Sequence, residues 1–511
     1  MEKLLIDGET LTVDEVIQVA RHGRPVGLAE EAVQKIQRSR EYVDRLVDEG
    51  AVVYGVTTGF GNFGNISIPM DEVKALQRNL IISHACGVGR HFTEEIVRAM
   101  MLLRANALSK GFSGIRLETV ATMLDMINAG VYPAIPEKGS LGASGDLVPL
   151  AHMVLPLIGM GEAYYKGALY TGEEAMRLAG LAPVELAAKE GLALINGTQA
   201  MTAVGLLTAY DALCLSKICD VSAGLTLEVL EGITDPFIRD LHEIRPHKGQ
   251  LDTAENLLRI VEESANTTRQ GELRIQDAYS LRCLPQIHGA SKDAIQYVLD
   301  KIQIEINSVT DNPIILSDMG AAISGGNFHG QPMALAFDFL GIAIAELANA
   351  CERRIERLVN TSLGGLPAFL TKQGGLNSGF MITQYTAAAL VSENKVLAHP
   401  ASVDSIPSSA NQEDHVSMGT IAACKAREIY FNASRVIAIE LFAASQGIDL
   451  RVAAPDKGLG RGTRVAYEVI RSKIPLLDED DVMYTHIERA AGLITDGSLL
   501  AAVETAIGEL K

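Results

Sequence analysis

The chain of 511 residues carries 44 Lys and Arg against 63 Asp and Glu, which gives a formal net charge of −19. Such an acidic protein is a poor ligand for nucleic acid or for an anionic membrane surface, so we expect neither as a partner. Hydrophobic residues make up 48% of a chain that is longer than one core usually serves. We therefore expect two cores, or a long helical body whose core is shared between subunits.

The cysteines and the apolar runs indicate the compartment. The six cysteines are scattered and include no Cys-x-x-Cys pair, which predicts neither a zinc site nor a disulfide framework. Reduced thiols are typical of the cytoplasm. The first residues contain too short an apolar run for a signal peptide, and no uninterrupted run reaches the length of a membrane span. We expect a cytoplasmic protein without a bound metal.

The first part of the chain predicts a mixed α/β domain over residues 1–115. Strand-like runs alternate there with helical periodicity, and Thr12 is a candidate cap for the first helix. The expected strands are residues 4–6 and 52–54, and the expected helices are residues 13–21, 29–49 and 70–82.

A glycine-rich segment occupies residues 54–64, beginning at Tyr54. It lacks the Gly-Lys-Ser/Thr ending of a phosphate loop, and it is not a Gly-x-Gly-x-x-Gly turn that opens a helix. Two interpretations remain open. The segment is either a mobile surface loop or a flap with glycine hinges that carries Tyr54 over a site.

A second glycine-rich segment covers residues 139–149, with Ala143-Ser144-Gly145 at its centre. Its glycines allow a tight backbone, and the apolar run that follows predicts a helix start with Asp146 at the positive end. If the chain bends sharply, the amide nitrogen of Gly145 can attack the carbonyl carbon of Ala143. Loss of water, including the hydroxyl of Ser144, then leaves a ring with an electrophilic methylidene. The alternative is an ordinary capped loop.

From about residue 92 the periodicity is helical, and the long helices predict a bundle over residues 116–511. In the helix predicted at residues 333–359, the half before residue 351 is apolar nearly all round and predicts burial, whereas the charged half predicts exposure or contact with another subunit. We expect a mainly α protein, a large bundle of long antiparallel helices with the smaller mixed domain. The long helices are predicted at residues 198–232, 251–264, 290–309, 333–359, 384–397 and 418–446.

Dense polar clusters interrupt these helices. Each could be a helix cap, a buried histidine, an ion pair or a solvated turn. Together they indicate a site, because buried polar groups are costly unless they satisfy one another or bind a ligand. The clusters lie at residues 80–85, 195–199, 276–282, 325–330 and 408–415.

The motif Gly-x-x-Gly-Ala-Ser-Gly-Asp-Leu at residues 139–147, with Tyr-Gly-Val-Thr-Thr-Gly-Phe-Gly at Tyr54, resembles the aromatic amino acid ammonia-lyase family. The likeness runs from Tyr54 past Gln446. Further matches follow in the family's order: Asn-Gly-Thr-Gln at 196–199, Gln-Asp-x-Tyr-Ser-x-Arg at 276–282, Asp-Asn-Pro at 311–313 and Gly-Gly-Asn-Phe at 325–328.

The resemblance implies a self-made methylidene-imidazolone, MIO, formed from Ala143, Ser144 and Gly145, with no external cofactor. It also implies a homotetramer whose active sites each combine three subunits. By the same resemblance Tyr54 is the base at the substrate β-carbon, and Arg282 holds the substrate carboxylate. The remaining residues implied to contact MIO or the substrate are His84, Asn196, Gln276, Tyr279, Phe328, Gln412 and Glu413.

Two places resemble the members of the family that act on histidine, namely the pair Ser83-His84 and residues 409–418. A carboxylate at Glu413 suits an imidazole ring, which offers N–H donors and can be cationic. We expect conversion of L-histidine to trans-urocanate and ammonia, the first step of histidine degradation.

Several alternatives remain open. The nearest are a phenylalanine or tyrosine ammonia-lyase and an MIO-type 2,3-aminomutase. From another class, a non-catalytic helical scaffold predicts an unmodified Ala143-Ser144-Gly145. The fumarase-type signature is absent, and no lysine stands in the clusters to serve a pyridoxal enzyme.

Overall fold

The computed structural model describes residues 1–59, 61–64, 66, 68–69, 72–451 and 458–511, and only the backbone of Asn62. The described chain is 61% helical, which confirms the mainly α prediction. Its 20 helices are α1 (Val13–His22), α2 (Glu30–Asp48), α3 (Val73–His84), α4 (Glu94–Ser109), α5 (Leu117–Ala129), α6 (Leu147–Val154), α7 (Gly172–Leu178), α8 (Glu190–Ile195), α9 (Gln199–Val229), α10 (Arg239–Glu243), α11 (Lys248–Ile260), α12 (Tyr279–Arg282), α13 (Leu284–Glu305), α14 (Gln331–Val359), α15 (Thr361–Gly364), α16 (Met381–Leu397), α17 (Gly419–Arg451), α18 (Arg461–Arg471), α19 (Met483–Thr495) and α20 (Ser498–Ile507).

Short strands in the described residues pair into four small sheets. β1 and β2 are parallel, whereas β3 pairs with β5, β8 with β9, and β6 with both β4 and β7, all antiparallel. The strands are β1 (Leu4–Ile6), β2 (Val26–Leu28), β3 (Val88–His91), β4 (Val131–Pro133), β5 (Pro136–Lys138), β6 (Glu162–Tyr165), β7 (Ala168–Thr171), β8 (Ile314–Leu316) and β9 (Ala321–Ile323).

Local signals place the first elements well. Thr12 caps α1 in a capping box, since its side chain accepts from Glu15 N and the Glu15 carboxylate accepts from Thr12 N. The prediction of a strand at residues 52–54 was wrong. A turn begins at Tyr54, and the main-chain oxygen of Val53 accepts from the amides of Val56 and Thr57. Phe60 of the glycine-rich segment, and Met70 and Asp71 of the helix expected at residues 70–82, lie outside the described residues.

The chain divides into two compact units, each built from three segments. The first unit comprises Met1–Leu207, Leu299–Asp338 and Pro400–Cys424, and the second comprises Thr208–Val298, Phe339–His399 and Lys425–Lys511. The boundary expected near residue 115 stays a prediction. All the strands, and four of the five polar clusters that interrupt the helices, belong to the first unit, while the cluster at residues 276–282 belongs to the second.

Helix α14 departs from the burial that its sequence predicts. Leu335, Phe339 and Ile342, spaced along one side, are 37%, 42% and 45% exposed, so within one chain this side is not buried as predicted. Among the described helices, α14 alone is long and apolar enough by composition to cross a membrane, and α19 with α20 pass that test only as a bent pair. The most apolar window of α14 is 67% buried inside the protein, as is typical of the central helix of a bundle.

The charged half of α14 was expected at the surface or against another subunit. Arg353 is exposed, whereas Glu352 and Arg354 are buried within the chain, so the expectation was wrong for these two residues. Arg354 is fully buried in the second unit, where Nε and Nη2 donate to the two carboxylate oxygens of Glu440 at 2.5 and 2.9 Å. The bidentate pair satisfies both charges, which is what allows them to be buried. Glu440 lies in the part of α17 that is buried on every side, residues 436–448.

Candidate active site

A cavity of about 1270 Å³ lies in the first unit, where segments that are far apart in sequence converge. The Tyr54 segment, α3, the start of α6, α8 and the loops before α14 and α17 contribute to its wall. The sequence-predicted residues that line it are Tyr54, His84, Ser144, Asn196, Phe328, Gln412 and Glu413.

The backbone bends at Ala143 and Ser144, and Gly145 follows with φ of 71°. A Cβ added at Gly145 would lie 2.1 Å from the Gly197 oxygen, which also accepts from Asp146 N at 2.7 Å. Both the left-handed backbone and this close approach require glycine at position 145. The sharp turn that the sequence indicates is therefore present next to a second glycine turn.

The side chain of Asp146 does not cap the helix that follows it. Its carboxylate is fully buried and accepts from Met201 N in the first turn of α9 at 2.7 Å, from Ser140 Oγ at 2.9 Å, and from Thr420 Oγ1. Burial raises the pKa of Asp146, and these hydrogen bonds oppose the rise. Asp146 stands at the N-cap of α6 as predicted, and its main-chain oxygen accepts from Leu150 N, but its carboxylate ties the Ser144 turn to the positive end of α9.

Asn196 contacts the turn from the end of α8. Its Nδ2 donates to the main-chain oxygen of Ser144 at 2.9 Å. Its Oδ1 is buried and has no hydrogen-bond partner among the described residues. A buried acceptor without a donor is costly, so the amide is arranged for a partner beyond the described contacts.

Glu413 reaches Ser144 from a distant loop. Its Oε1 accepts from Ser144 Oγ at 3.0 Å, and its Oε2 accepts from Ser408 Oγ at 3.0 Å. Main-chain bonds join Ser408 and Glu413 in both directions, and residues 409–411 between them have φ of 49°, 53° and 66°. Three successive non-glycine residues in the left-handed region are strained, which is common at ligand-binding positions.

His84 lines the cavity at the end of α3, where its Nδ1 lies 3.1 Å from Ser83 Oγ. Burial lowers the pKa of His84, opposed by the Leu80 carbonyl and by the charge of Glu413. The imidazole is therefore neutral near pH 7, and it can donate with one nitrogen and accept with the other.

Tyr54 is fixed by its own segment. Its hydroxyl oxygen accepts from Gly61 N at 3.0 Å. Gly61 has φ of 54°, and a Cβ there would lie 2.7 Å from Ser409 Oγ, so the segment packs closely on the strained turn that leads to Glu413. Tyr54 therefore lines the cavity with its phenolic oxygen hydrogen-bonded to the backbone of its own segment.

Gln276, Tyr279 and Arg282 belong to the second unit, and none of them lines the cavity. Gln276 is exposed and Tyr279 is 69% exposed. The guanidinium of Arg282 lies 4.5 Å from the centroid of the Tyr279 ring, and its Nε donates to the main-chain oxygen of Asp277 at 3.0 Å. Within one chain these three residues are therefore not part of the described cavity wall.

Other lining residues were missed. On α3, Leu76 lies about two turns before His84 and Asn79 somewhat more than one turn before it, and this helical spacing could have identified them. Asn312 was noted only as part of a motif. It orders the loop before α14, because Oδ1 accepts from Gly325 N at 2.7 Å and Nδ2 donates to Ser324 Oγ at 3.2 Å. No sequence pattern joins residues 312 and 325.

Over the part of the chain that the structure describes, no group of three His, Cys, Asp or Glu side chains could hold a metal ion. The titratable cavity residues are instead hydrogen-bonded to hydroxyl and amide groups. The arrangement offers a carboxylate, a neutral imidazole, a phenol and a free amide oxygen around one serine, which suits a polar aromatic substrate.

Comparison with known proteins gives consistent results. The model of the family described as aromatic amino acid lyase matches residues 11–472. The chain is 65% identical over 507 residues to the histidine ammonia-lyase of Alkaliphilus oremlandii, with 99% of each covered. It is 62% identical over 511 residues to that of Clostridium tetani, again with 99% of each covered.

Solved structures share the fold over nearly the whole chain. Histidine ammonia-lyase from Trypanosoma cruzi superposes with a TM-score of 0.92 at 42% identity, covering 99% of this chain and 96% of that chain. Tyrosine aminomutase from Streptomyces globisporus superposes with a TM-score of 0.96 at 38% identity, covering 100% of both. Backbone likeness alone therefore does not separate the two activities.

Proposed function

The chain belongs to the aromatic amino acid lyase family, and from this membership we propose that it converts L-histidine to trans-urocanate and ammonia, the first step of histidine degradation. It is a carbon–nitrogen lyase. The curated relatives at 57–65% identity over almost their full length are named histidine ammonia-lyase, whereas the aminomutase likeness is at 38%.

One observation carries the choice of substrate: Glu413 and His84 face the same cavity as Ser144. Glu413 accepts from the Ser144 hydroxyl at 3.0 Å in the uncyclised chain. Loss of that hydroxyl would leave the carboxylate oxygen free to accept from a substrate imidazole N–H, with the neutral His84 as a second partner. A phenyl ring offers neither group a hydrogen bond.

We propose that Ala143, Ser144 and Gly145 form MIO, and the residues present fit that group. The backbone is bent at Ala143 and Ser144, and position 145 has no room for a side chain. Asn196 Nδ2 donates to the Ser144 main-chain oxygen at 2.9 Å, while Asn196 Oδ1 has no hydrogen-bond partner among the described residues. When formed, the ring supplies an electrophile for the substrate amine.

The remaining residues would bind the substrate and move its protons. Tyr54, whose oxygen already accepts from Gly61 N–H, would take the proton from the substrate β-carbon. Asn196 would hold the Ser144 carbonyl in place, and Phe328 and Gln412 would shape the substrate side of the cavity. The strained turn at residues 409–411 would keep Glu413 aimed at the ring of the substrate.

We further propose a homotetramer in which neighbouring subunits supply Gln276, Tyr279 and Arg282. The cavity of one chain lacks a cation for the substrate carboxylate among its described lining residues, while Tyr279 is 69% exposed in the monomer. The exposed apolar side of α14 also fits burial against another subunit. Arg282 could then hold the carboxylate with its planar fork.

The cytoplasm remains the proposed location. All six cysteines are free thiols, including Cys219 and Cys351 with their sulfur atoms 3.1 Å apart. Cysteines without disulfides are typical of a reducing compartment.

The substrate is tested by offering L-histidine, L-phenylalanine and L-tyrosine side by side and following the conjugated acid product in the ultraviolet. We expect urocanate from histidine and little from the others. Faster turnover of phenylalanine or tyrosine would refute the roles given to His84 and Glu413. A β-amino acid product, detected by NMR, would select the aminomutase instead.

Shared sites are tested by complementation. Ser144→Ala and Arg282→Gln chains are each expected to be inactive, and subunits of the two that are refolded together should regain part of the activity, because some cavities then combine intact residues from different chains. The double variant, refolded alone, is the control. No recovery from the mixture, with mixed oligomers demonstrated by mass, would contradict the shared site.

A further inference from the structure

Arg104, on α4, is a fully buried cation to which the proposed reaction gives no role. Its Nη1 donates to the main-chain oxygen of Asn196 and to Oε1 of Gln199, both at 2.8 Å, and its Nη2 donates to the main-chain oxygen of Ala193. Ala193 and Asn196 belong to the end of α8, and Gln199 is the first residue of α9. One guanidinium therefore fixes the corner between the two helices.

The charge of Arg104 is not needed for an ion pair. Among the described residues it contacts no carboxylate directly, and Asp311, which favours its charge at longer range, is bonded to Lys189 at 2.7 Å. Burial lowers the pKa of Arg104 to about 10, so the group stays charged at neutral pH. A buried cation without its own carboxylate is costly, which argues for a role beyond packing.

The corner that Arg104 fixes touches the Ser144 turn at two points. Asn196 Nδ2 donates to the Ser144 oxygen at 2.9 Å, and the Gly197 oxygen accepts from Asp146 N at 2.7 Å. A Cβ added at Gly197 would lie 2.4 Å from Arg104 Nη1, so the guanidinium packs directly on Gly197 in the corner between α8 and α9. Any shift of the guanidinium would move both contacts together.

We propose that Arg104 is a positioning residue for the lyase reaction: it holds the α8–α9 corner so that Asn196 and Gly197 keep residues 143–146 in the geometry that ring formation and turnover require. The inference rests on the proposed function and extends it to a residue that touches neither substrate nor the reacting atoms. Small displacements of positioning groups have large effects on rate.

The test compares Arg104→Lys and Arg104→Gln with wild type in the full-length, assembled enzyme. Lysine keeps the charge but cannot reproduce the three-point fork. We expect kcat for histidine to fall by about 10- to 100-fold in Arg104→Lys, with KM changed by less than about threefold. In Arg104→Gln we expect intact mass to show a larger fraction of chains that retain both waters.

Arg354→Lys is the matched control, because Arg354 is also fully buried but pairs with Glu440 in the second unit. It should lower the thermal midpoint while kcat stays close to wild type. If Arg104→Lys behaves in the same way, with kcat kept and only the midpoint lowered, the positioning role is overturned.

Should the Arg104 variants fail to fold, Gln199→Met provides a second test. It removes the Oε1 acceptor of Arg104 and the Nε2 donor to Thr310 Oγ1, and it leaves Arg104 in place. The value of kcat should fall by about two- to tenfold, and an unchanged kcat would overturn the proposal. Failure of the proposed function looks different: wild-type chains would retain both waters and would not turn over histidine. Wild-type turnover with unaffected variants refutes only the role of Arg104.

Discussion

The cavity of the first unit and the polar network in the core of the second unit use buried polar side chains in opposite ways. In the network the charges are mutually satisfied: Arg354 binds both oxygens of Glu440, and Asp220 accepts from His288 at 2.7 Å and from Lys292 at 2.6 Å. In the cavity Asn196 Oδ1 has no partner among the described residues.

The pKa values of one histidine in each region show the same difference between the network and the cavity. Burial opposes the charge of His288, but the Cys219 thiolate and Asp220 outweigh it and raise the pKa of His288 to about 9. Burial lowers the pKa of His84, whose neighbours oppose the shift only in part. Paired polar groups thus hold helices together, whereas incompletely satisfied ones remain available to a ligand.

The strongest test of the comparison is Ser144→Ala. We expect histidine turnover to fall by on the order of 10³-fold or more, because the serine supplies the carbon of the electrophile, while the fold is kept. Activity and intact mass are measured together, and the variant chain should retain the waters that wild type loses. Substantial turnover by the variant would contradict the MIO proposal.

The second test breaks the network instead of the cavity. Glu440→Gln should lower the free energy of unfolding by about 3–5 kcal/mol, because Arg354 is left buried without its carboxylate. Denaturant unfolding measures this loss, and the ratio of histidine to phenylalanine turnover in the folded enzyme should not change. A shift in that ratio would show that the two regions do not divide stability and selectivity as we infer.

Glu413→Gln makes the matching change in the cavity. Loss of a charge-assisted hydrogen bond to imidazole should lower kcat/KM for histidine by about 10- to 100-fold, with little loss of stability. Steady-state kinetics on histidine and phenylalanine provide the measurement. An equal fall for both substrates would mean that Glu413 acts on the common amino acid portion and not on the ring.

The smallest expected effect concerns pH. Because the pKa of His84 is lowered in the folded protein, the unfolded chain binds more protons just below the ordinary value of about 6.5, so this group makes stability decrease as pH falls below that value. Urea unfolding at a series of pH values should show a weaker decrease in His84→Asn. Identical pH dependence in variant and wild type would contradict the assigned shift.

Part of the fold and much of the candidate site could be predicted because their signals are contiguous. The requirement for glycine at position 145, the cap at Thr12 and the clusters around Asn196 and Glu413 are each visible in a few neighbouring residues. The partner of Asp146 was missed because its carboxylate serves α9, some 55 positions away, and not the adjacent α6. The role of Asn312 was missed because its side chain binds Gly325 N, which is likewise not a neighbour in sequence.

Helical content, family and the local conformation at Ser144 could be inferred from the sequence alone, since periodicity, motif order and glycine geometry depend on residues close together in the chain. Three features became visible only in the folded chain: Glu413 contacts Ser144 across 269 positions, Arg354 is buried with Glu440, and one side of α14 is exposed. These features depend on how the helices pack. A charged side chain can be buried only where packing brings an oppositely charged or hydrogen-bonding partner to it, and no local sequence pattern specifies that partner.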